Sequence, residues 1–147
     1  MTWSDALSPA GRRDIQALVD AAIAAARSAL AGAEVFAPIP LIVASNGGVL
    51  PLSAAQLIAP GTPAERQAAI AIEALRKVAP AARAAALVTP TRVAGSGQGA
   101  GEALEIWAEH REGAALTLLQ PFNRSLLGGV VELGALTAYP GELRIWG

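Results

Sequence analysis

The segment from Leu104 to Leu118 constrains the fold more than any other part of the sequence. From Leu104 to Glu109 apolar and polar side chains alternate, with Trp107 as the one exception. Leu116 and Leu118 continue the alternation beyond a polar turn at 111–113. Such alternation turns one side of an extended chain towards a core. A short break containing glycine between two such runs is typical of a β-hairpin. The pattern therefore predicts two antiparallel strands with one apolar face, made of Leu104, Ile106, Ala108, Leu116 and Leu118.

A long helix is predicted near the start of the sequence. Ser8 followed by Pro9 is a typical helix start, because the hydroxyl caps free amides and proline needs no donor there. Apolar residues then recur at helical spacing, and Gly32 ends the helix. The apolar stripe consists of Ile15, Leu18, Val19, Ala22, Ile23, Ala26 and Leu30.

A second helix is predicted between Thr62 and Pro80. The tetrapeptide 62–65, Thr-Pro-Ala-Glu, fits a capping box in which the threonine and the glutamate each bind the other's backbone amide. Pro63 takes the first helical position, and Pro80 ends the helix. Glu73 stands four residues before Lys77, so we expect these two side chains to form an ion pair.

Extended segments complete the predicted fold. Asn46-Gly47 lies between two apolar runs and predicts a hairpin, because both residues accept positive φ. Residues 83–93 predict a strand, and Val130 to Ala138 form a last extended segment. The order of these elements predicts an α+β domain. We expect one domain over residues 1–147, with two main helices and an antiparallel sheet of about five to six strands, in the order α-β-β-α-β-β-β-β.

Residues Gly95 to Ala100 match the dinucleotide fingerprint G-x-G-x-x-G/A. A dinucleotide site needs a helix directly after the glycines, because the amino end of that helix binds the pyrophosphate. Residues 102–111 favour a period of two, although a helix over 101–112 also fits the spacing. The acidic residue expected roughly twenty positions later is missing, since Gln120 and Asn123 stand there. We interpret the glycine segment as a flexible hairpin tip and expect no cofactor.

His110 is the only histidine and lies directly after Glu109. Imidazole titrates near neutrality and can act as a general base beside a carboxylate. Neighbours along a strand face opposite sides, however, so Glu109 cannot easily orient His110. A single histidine without cysteine also argues against the usual zinc sites. The favoured interpretation is a polar residue near a hairpin end, and the alternative is a ligand-binding set formed by His110, Glu109 and Arg124.

Other candidate residues are carboxylates, tryptophans and one arginine. Glu105 and Glu109 share a strand face with Trp107, and paired carboxylates can perform acid–base chemistry. A solvated sheet face is the favoured interpretation of these carboxylates. Trp107 and Trp146 are candidate interface residues, because large aromatic side chains are enriched at contact centres; a tryptophan in the core is the alternative. Arg124 is a candidate anion contact or part of a turn, and no residue is assigned a catalytic or metal-binding role.

The composition narrows the possible partners. The net charge of -1 supplies no basic field for nucleic acid or an acidic membrane, so neither is expected as a partner. With 53% hydrophobic and only 16% charged residues, we expect apolar surface to remain after folding. Such patches often mark a partner face. The sequence therefore predicts a homo-oligomer, with a further protein as a possible partner.

The sequence also carries information about the cellular compartment. Its start lacks the basic and apolar segments of a secretory signal. The most apolar helix candidate, Ile15 to Leu30, contains Asp20 and Arg27, so its insertion into a bilayer would cost much free energy. The absence of cysteine removes disulfides and thiol chemistry. Frequent alanine, arginine, glycine and proline are typical of a GC-rich bacterial genome, so we expect a bacterial protein. The missing secretory signal and membrane span predict that it is cytoplasmic.

The Asn46-Gly47 hairpin after the first helix and the capped helix from Pro63 give a layout that resembles the roadblock and profilin-like proteins, α-β-β-α-β-β-β. The resemblance is one of topology and spans roughly residues 9 to 122. It implies a dimeric adaptor that scaffolds motors or small GTPases. This sequence departs from that layout where residues 130–146 replace the family's final helix by an extended segment. The segment 109–124 also looks like parts of small uncharacterised bacterial proteins, and neither resemblance supplies a functional residue.

Two hypotheses about function follow from the sequence. The first is a non-catalytic, self-associating module used for binding or regulation. The second is a small enzyme or ligand-binding protein that uses His110, a glutamate and the glycine segment 95–101. The second hypothesis requires these residues to converge on one concave pocket.

Overall fold

The computed structural model describes residues 7–32, 37–52, 59, 61–95, 99–124, 131–133 and 136–146. Helix α1 spans Pro9–Gly32 and helix α2 spans Ala64–Val78, which a short 3₁₀ turn over Ala79–Ala81 follows. The strands are β1 (Ile39–Ala44), β2 (Val49–Pro51), β3 (Ala82–Gly95), β4 (Gly99–His110), β5 (Ala114–Arg124), β6 (Val131–Leu133) and β7 (Thr137–Pro140).

The strands form one antiparallel sheet in the order β2-β1-β3-β4-β5. Both β6 and β7 pair with β5: β6 lies against residues 122–124, and β7 lies against residues 116–119. The predicted α+β class and the order of helices and strands are confirmed. The last extended segment, predicted over 130–138, contains two short strands instead of one.

The glycine segment lies at the tip of the long hairpin formed by β3 and β4. The register pairs Leu87 with Trp107 and continues to the pair Gly95 and Gly99. Residues 99–110 are therefore strand, which confirms the prediction that the chain stays extended after the glycines. Because residues 99–110 form a strand, they do not supply the helix amino end that a dinucleotide site requires after its glycines. Residues 96–98 lie outside the described residues.

Helices cover the two faces of the sheet. Helix α1 packs its predicted stripe against β1, β3 and β4, and the apolar set predicted for the β4–β5 hairpin is buried on the same side, which we call the α1 face. Helix α2 packs against β1 and β3 on the other side, the α2 face. The core of the α2 face consists of Ile42, Ala71, Leu75, Ala82, Ala85, Leu87 and Trp107. Trp107 breaks the apolar alternation because it belongs to this second core.

The two helix starts differ in how well they match the sequence signals. The Gly11 amide donates to the Ser8 hydroxyl over 3.0 Å, so the predicted cap of α1 is confirmed. The capping box predicted for α2 is wrong. The structure places Pro63 at the cap position, which puts Thr62 one residue too early, and the Thr62 hydroxyl donates instead to the Ala59 carbonyl over 2.6 Å.

Two other local predictions are corrected in detail. Glu73 pairs with Arg76, with 3.3 Å between Oε2 and Nη1, instead of with Lys77. The hairpin at Asn46-Gly47 is confirmed, but only Gly47 has a positive φ, of 89°. Asn46 stabilises the turn differently, because its Oδ1 accepts a hydrogen bond of 2.9 Å from the Gly48 amide.

Gly141 connects β7 to the segment that follows it and leaves no space for a side chain. A Cβ atom at this position would lie 2.8 Å from backbone atoms of Leu116. We expect Gly141→Ala to lower the free energy of unfolding by about 1–3 kcal/mol, because the rigid backbone of β5 cannot move aside. Urea denaturation followed by circular dichroism measures this loss.

Gly48→Ala is the matched control for this substitution. A Cβ atom on Gly48 would meet only the Asn46 side-chain oxygen, at 3.2 Å, and that flexible side chain can shift. Equal losses of stability in the two variants would contradict the close contact between residue 141 and β5.

Candidate functional site

Glu109 and His110 are adjacent in sequence but lie on opposite faces of the sheet, as the strand period predicts. Both are buried: Glu109 has 0% of its surface exposed and His110 has 4%. The interpretation of Glu109 as part of a solvated sheet face is therefore wrong, because residues 142–146 cover it. His110 does lie near a hairpin end, but α1 buries it. Each side chain is the centre of a separate polar cluster.

His110 has a hydrogen-bond partner at each ring nitrogen. Its Nε2 lies 2.9 Å from Oδ2 of Asp14 on α1. Its Nδ1 accepts a hydrogen bond of 3.1 Å from the backbone amide of Glu112. Because an amide can only donate, Nδ1 is the acceptor in this arrangement, and Nε2 is the nitrogen that donates to Asp14.

Asp14 is buried, with 7% of its surface exposed, and binds Arg83 as well as His110. Arg83 donates through Nη2 to Oδ1 over 2.5 Å and through Nε to Oδ2 over 3.2 Å, which is a bidentate pair. Arg83 also donates to the Ser45 carbonyl over 3.4 Å. The pair of Asp14 and Arg83 thus connects α1, β3, β4 and the β1–β2 turn.

These contacts change the pKa of two groups in opposite directions. Burial raises the pKa of the Asp14 carboxyl, but hydrogen bonds from Arg83 and His110 and the charge of Arg83 lower it by more, so the net change is downward. The hydrogen bond to Asp14 and its negative charge raise the pKa of the Arg83 guanidinium. The ion pair is therefore the stable form at neutral pH.

Glu112 extends this cluster to the amino end of α1. Its Oε1 accepts hydrogen bonds from the Ser8 hydroxyl over 3.0 Å and from the Ser8 amide over 3.1 Å, and these bonds lower the pKa of the Glu112 carboxyl. A carboxylate at a helix amino end is also stabilised by the helix dipole. A Cβ atom on Gly11 would overlap Glu112 Oε1, so a side chain there would displace the Glu112 carboxylate from its bonds to Ser8.

The contacts of His110 bear directly on its chemistry. A general base needs an imidazole nitrogen whose lone pair faces the substrate. In this structure the lone pair of Nδ1 is directed at the Glu112 amide, and the other nitrogen donates to Asp14. The ring is 4% exposed, so substrate cannot reach it without a rearrangement of α1 or the turn. The arrangement fits a structural link between helix and sheet.

Glu109 is the centre of the second cluster, on the α2 face. Three successive backbone amides donate to its carboxylate: Oε1 accepts from Arg144 and from Ile145, the latter over 2.9 Å, and Oε2 accepts from Trp146 over 2.6 Å. Consecutive amides of this kind form a concave anion site. Here the anion belongs to the protein itself. We call residues 142–146 the clasp segment, because their backbone holds this carboxylate.

Trp107 and Arg76 hold the same clasp segment through its carbonyl groups. The Trp107 indole donates to the Glu142 carbonyl over 2.9 Å, and Arg76 Nε donates to the Arg144 carbonyl over 3.0 Å. The Arg144 guanidinium lies over the Trp107 ring, 5.4 Å from its centroid. The structure places Trp107 in the core, with 2% of its surface exposed, and Trp146 is half-buried against the same core. Trp107 therefore has almost no surface left for another chain.

The structure does not bring the other predicted site residues together with His110. Ala114 pairs with His110, whereas Arg124 ends β5, roughly 33 Å further along at about 3.3 Å per residue. The side chain of Arg124 lies outside the described part of the structure. The glycine tip is at the opposite end of β4 from His110. Within the described residues, the pocket required by the second hypothesis is therefore not assembled.

Sequence reasoning missed Asp14, Arg83 and the clasp segment. A signal for Asp14 existed: it lies one helical turn before Leu18, so it continues the apolar stripe of α1 with a charged residue. A charge at a core-facing position requires a buried partner. The clasp segment shows no apolar periodicity that predicts burial. Its contacts are made largely by backbone groups, which leave no pattern in the sequence.

Comparisons of the chain with protein-family profiles, with curated proteins and with solved structures find no match. Among the residues that the structure describes, no group of three or more histidine, aspartate or glutamate side chains is arranged to hold a metal ion. None of the described helices is long and apolar enough to cross a membrane.

The Asp14 cluster predicts a specific dependence of stability on pH. Because the pKa of Asp14 is lower in the folded chain, its stabilising contribution is complete above about pH 4 and is lost as the pH falls through the folded pKa. We expect Asp14→Asn to reduce the free energy of unfolding by about 1–3 kcal/mol at pH 7 and by progressively less as the pH falls below about 4. Urea denaturation across this pH range measures both effects.

Asp20→Asn is the control for Asp14→Asn, because Asp20 lies on the same helix, is exposed and bonds only to Gln16 among the described contacts. We expect the free energy of unfolding of this variant to stay close to that of the wild type over the same pH range. A difference between wild type and Asp14→Asn that stayed constant with pH would argue against the ion pair.

The Glu109 cluster predicts that charge and not only shape is required at this position. Glu109→Gln keeps the size of the side chain but replaces one acceptor by an NH₂ group that faces backbone donors. We expect it to lower the free energy of unfolding by about 2–3 kcal/mol, because buried amides lose their acceptor. Glu105→Gln, four residues away on the same strand face and half-buried, is the control. Similar values for the two variants would contradict the role assigned to Glu109.

Proposed function

We propose that this protein is a non-catalytic bacterial module that self-associates as a homodimer for binding or regulation. The observation that carries the proposal is that three large apolar side chains, in the edge strand β7 and in the segments on either side of it, are exposed. Leu136 is 43% exposed, Tyr139 is 48% exposed and Leu143 is 44% exposed. We call these three residues the edge cluster. Exposed apolar patches of this kind often mark protein contacts.

Strand β7 provides an exposed edge at which a second chain can pair. All four residues of β7 are exposed, and among the described residues β7 pairs only with β5. An edge strand of this kind can pair with a strand of another chain. Antiparallel pairing with β7 of a second copy puts no like charges opposite each other, because Thr137–Pro140 contains no charged residue.

The polar clusters support this function over a catalytic one. Both ring nitrogens of His110 and both oxygens of Asp14 are occupied by groups of the same chain. Groups held in this way stabilise the packing of α1 on the sheet, and neither His110 nor Asp14 is free to act as a base on a substrate.

The proposal predicts that a charge in the edge cluster prevents association. We expect the wild-type protein to have the mass of a dimer in size-exclusion chromatography with light scattering, and Tyr139→Lys to have the mass of a monomer, because the symmetric contact brings two lysines together.

Leu50→Lys is the matched control, since Leu50 is 51% exposed on β2 at the other edge of the sheet. This variant is expected to remain dimeric. A wild-type protein that is monomeric at high concentration would refute the proposed self-association, and dissociation by Leu50→Lys alone would place the contact at the β2 edge.

A further inference from the structure

The α2 face of the sheet is covered by two parts of the chain that differ in kind. Helix α2 packs on β1 and β3, and the clasp segment crosses β4 at Trp107 and Glu109. Helix α2 is held by its apolar side chains. The clasp segment, in contrast, has no regular secondary structure and is held to a large extent through its backbone.

Five hydrogen bonds hold the backbone of the clasp segment. Glu109 accepts three of them from amides, and Trp107 and Arg76 each donate one to a carbonyl. Ile145 and Trp146 add apolar contact with the core of this face. Many proteins bind peptides through hydrogen bonds to the peptide backbone, with contacts to a few side chains for selectivity.

We propose that Glu109, Trp107 and Arg76 form a peptide-binding site, and that the clasp segment of a second copy of this chain can replace the chain's own. The structure indicates which segment binds at this site, because residues 142–146 are the segment observed there. A clasp segment from a second copy makes the same contacts as the chain's own. The inference goes beyond the β7 contact proposed above.

In such an exchange, each chain would cross to the second copy directly after Gly141. The Gly141 amide donates to the Ala115 carbonyl over 3.1 Å, and the glycine packs directly on the backbone of Leu116. The clasp segment leaves the sheet at this point. In a single chain the short connection gives the chain's own clasp segment a high effective concentration, so the intramolecular contact prevails in dilute solution. Exchange between copies is therefore favoured only where the intramolecular contact is impaired or the protein is concentrated.

Two complementary variants test this proposal in full-length chains. Glu109→Gln impairs the site but keeps an intact clasp segment. Ile145→Pro keeps the site but removes one of the amides that bind Glu109. Both variants also carry Tyr139→Lys, so that the β7 contact does not contribute and the two proposals can fail separately.

We expect each variant alone to be monomeric and an equimolar mixture to form a heterodimer, because only the mixture joins an intact site to an intact clasp segment. Isotope labelling of one variant allows native mass spectrometry to identify the heterodimer, and light scattering gives its fraction. Association in the mixture is expected to be at least about tenfold stronger than in either variant alone.

Leu143→Pro combined with Glu109→Gln is the matched control mixture. The Leu143 amide is not among the donors to Glu109, so the Leu143→Pro chain keeps its own clasp segment in place and little heterodimer is expected. Circular dichroism verifies that each variant is folded, and Trp146→Pro replaces Ile145→Pro if that chain is unfolded. A complementary mixture that stays monomeric, or that associates no more strongly than the control mixture, would overturn the proposal.

Discussion

Alternation along β4 sends Glu109 to one face of the sheet and His110 to the other, and both faces are covered. A polar side chain without water requires a hydrogen-bonding partner from the element that covers it. On the α1 face that partner is Asp14, and on the α2 face it is the backbone of the clasp segment. Two polar residues at the end of one strand therefore determine how a helix and an irregular segment dock.

The two clusters place different demands on the covering element. Asp14 must present a carboxylate at one position of α1, so the contact fixes the rotation of the helix and its position along the sheet. Glu109 requires only backbone amides, which nearly any sequence can supply. The selectivity of the second contact then depends on Ile145, Trp146 and the stacking of Arg144 on Trp107. This difference explains why the α2 face is suited to binding an irregular segment through its backbone.

Local signals in the sequence predicted the elements well. Ser8-Pro9, the turn at Asn46-Gly47 and the alternation around residues 111–113 depend on contacts within a few residues, so they are readable without the fold. The burial of Glu109 was not predictable, because it depends on a segment more than thirty residues away that binds through its backbone. The partner of His110 was missed for a related reason. A charged residue within the apolar stripe of α1 indicates that Asp14 has a buried partner, but nothing in the sequence identifies that partner as a residue at the end of β4.

The way in which the sheet ends at β5 has a consequence for solubility. Strand β5 has 11 residues and would offer a long, continuous template to any extended chain if its free side were open. Two short strands, β6 with 3 residues and β7 with 4, occupy that side in separate places. Pro140 removes a further donor from the outermost strand. A border built from such short pieces can hold one neighbouring strand, but it offers little support for growth into an open-ended fibre.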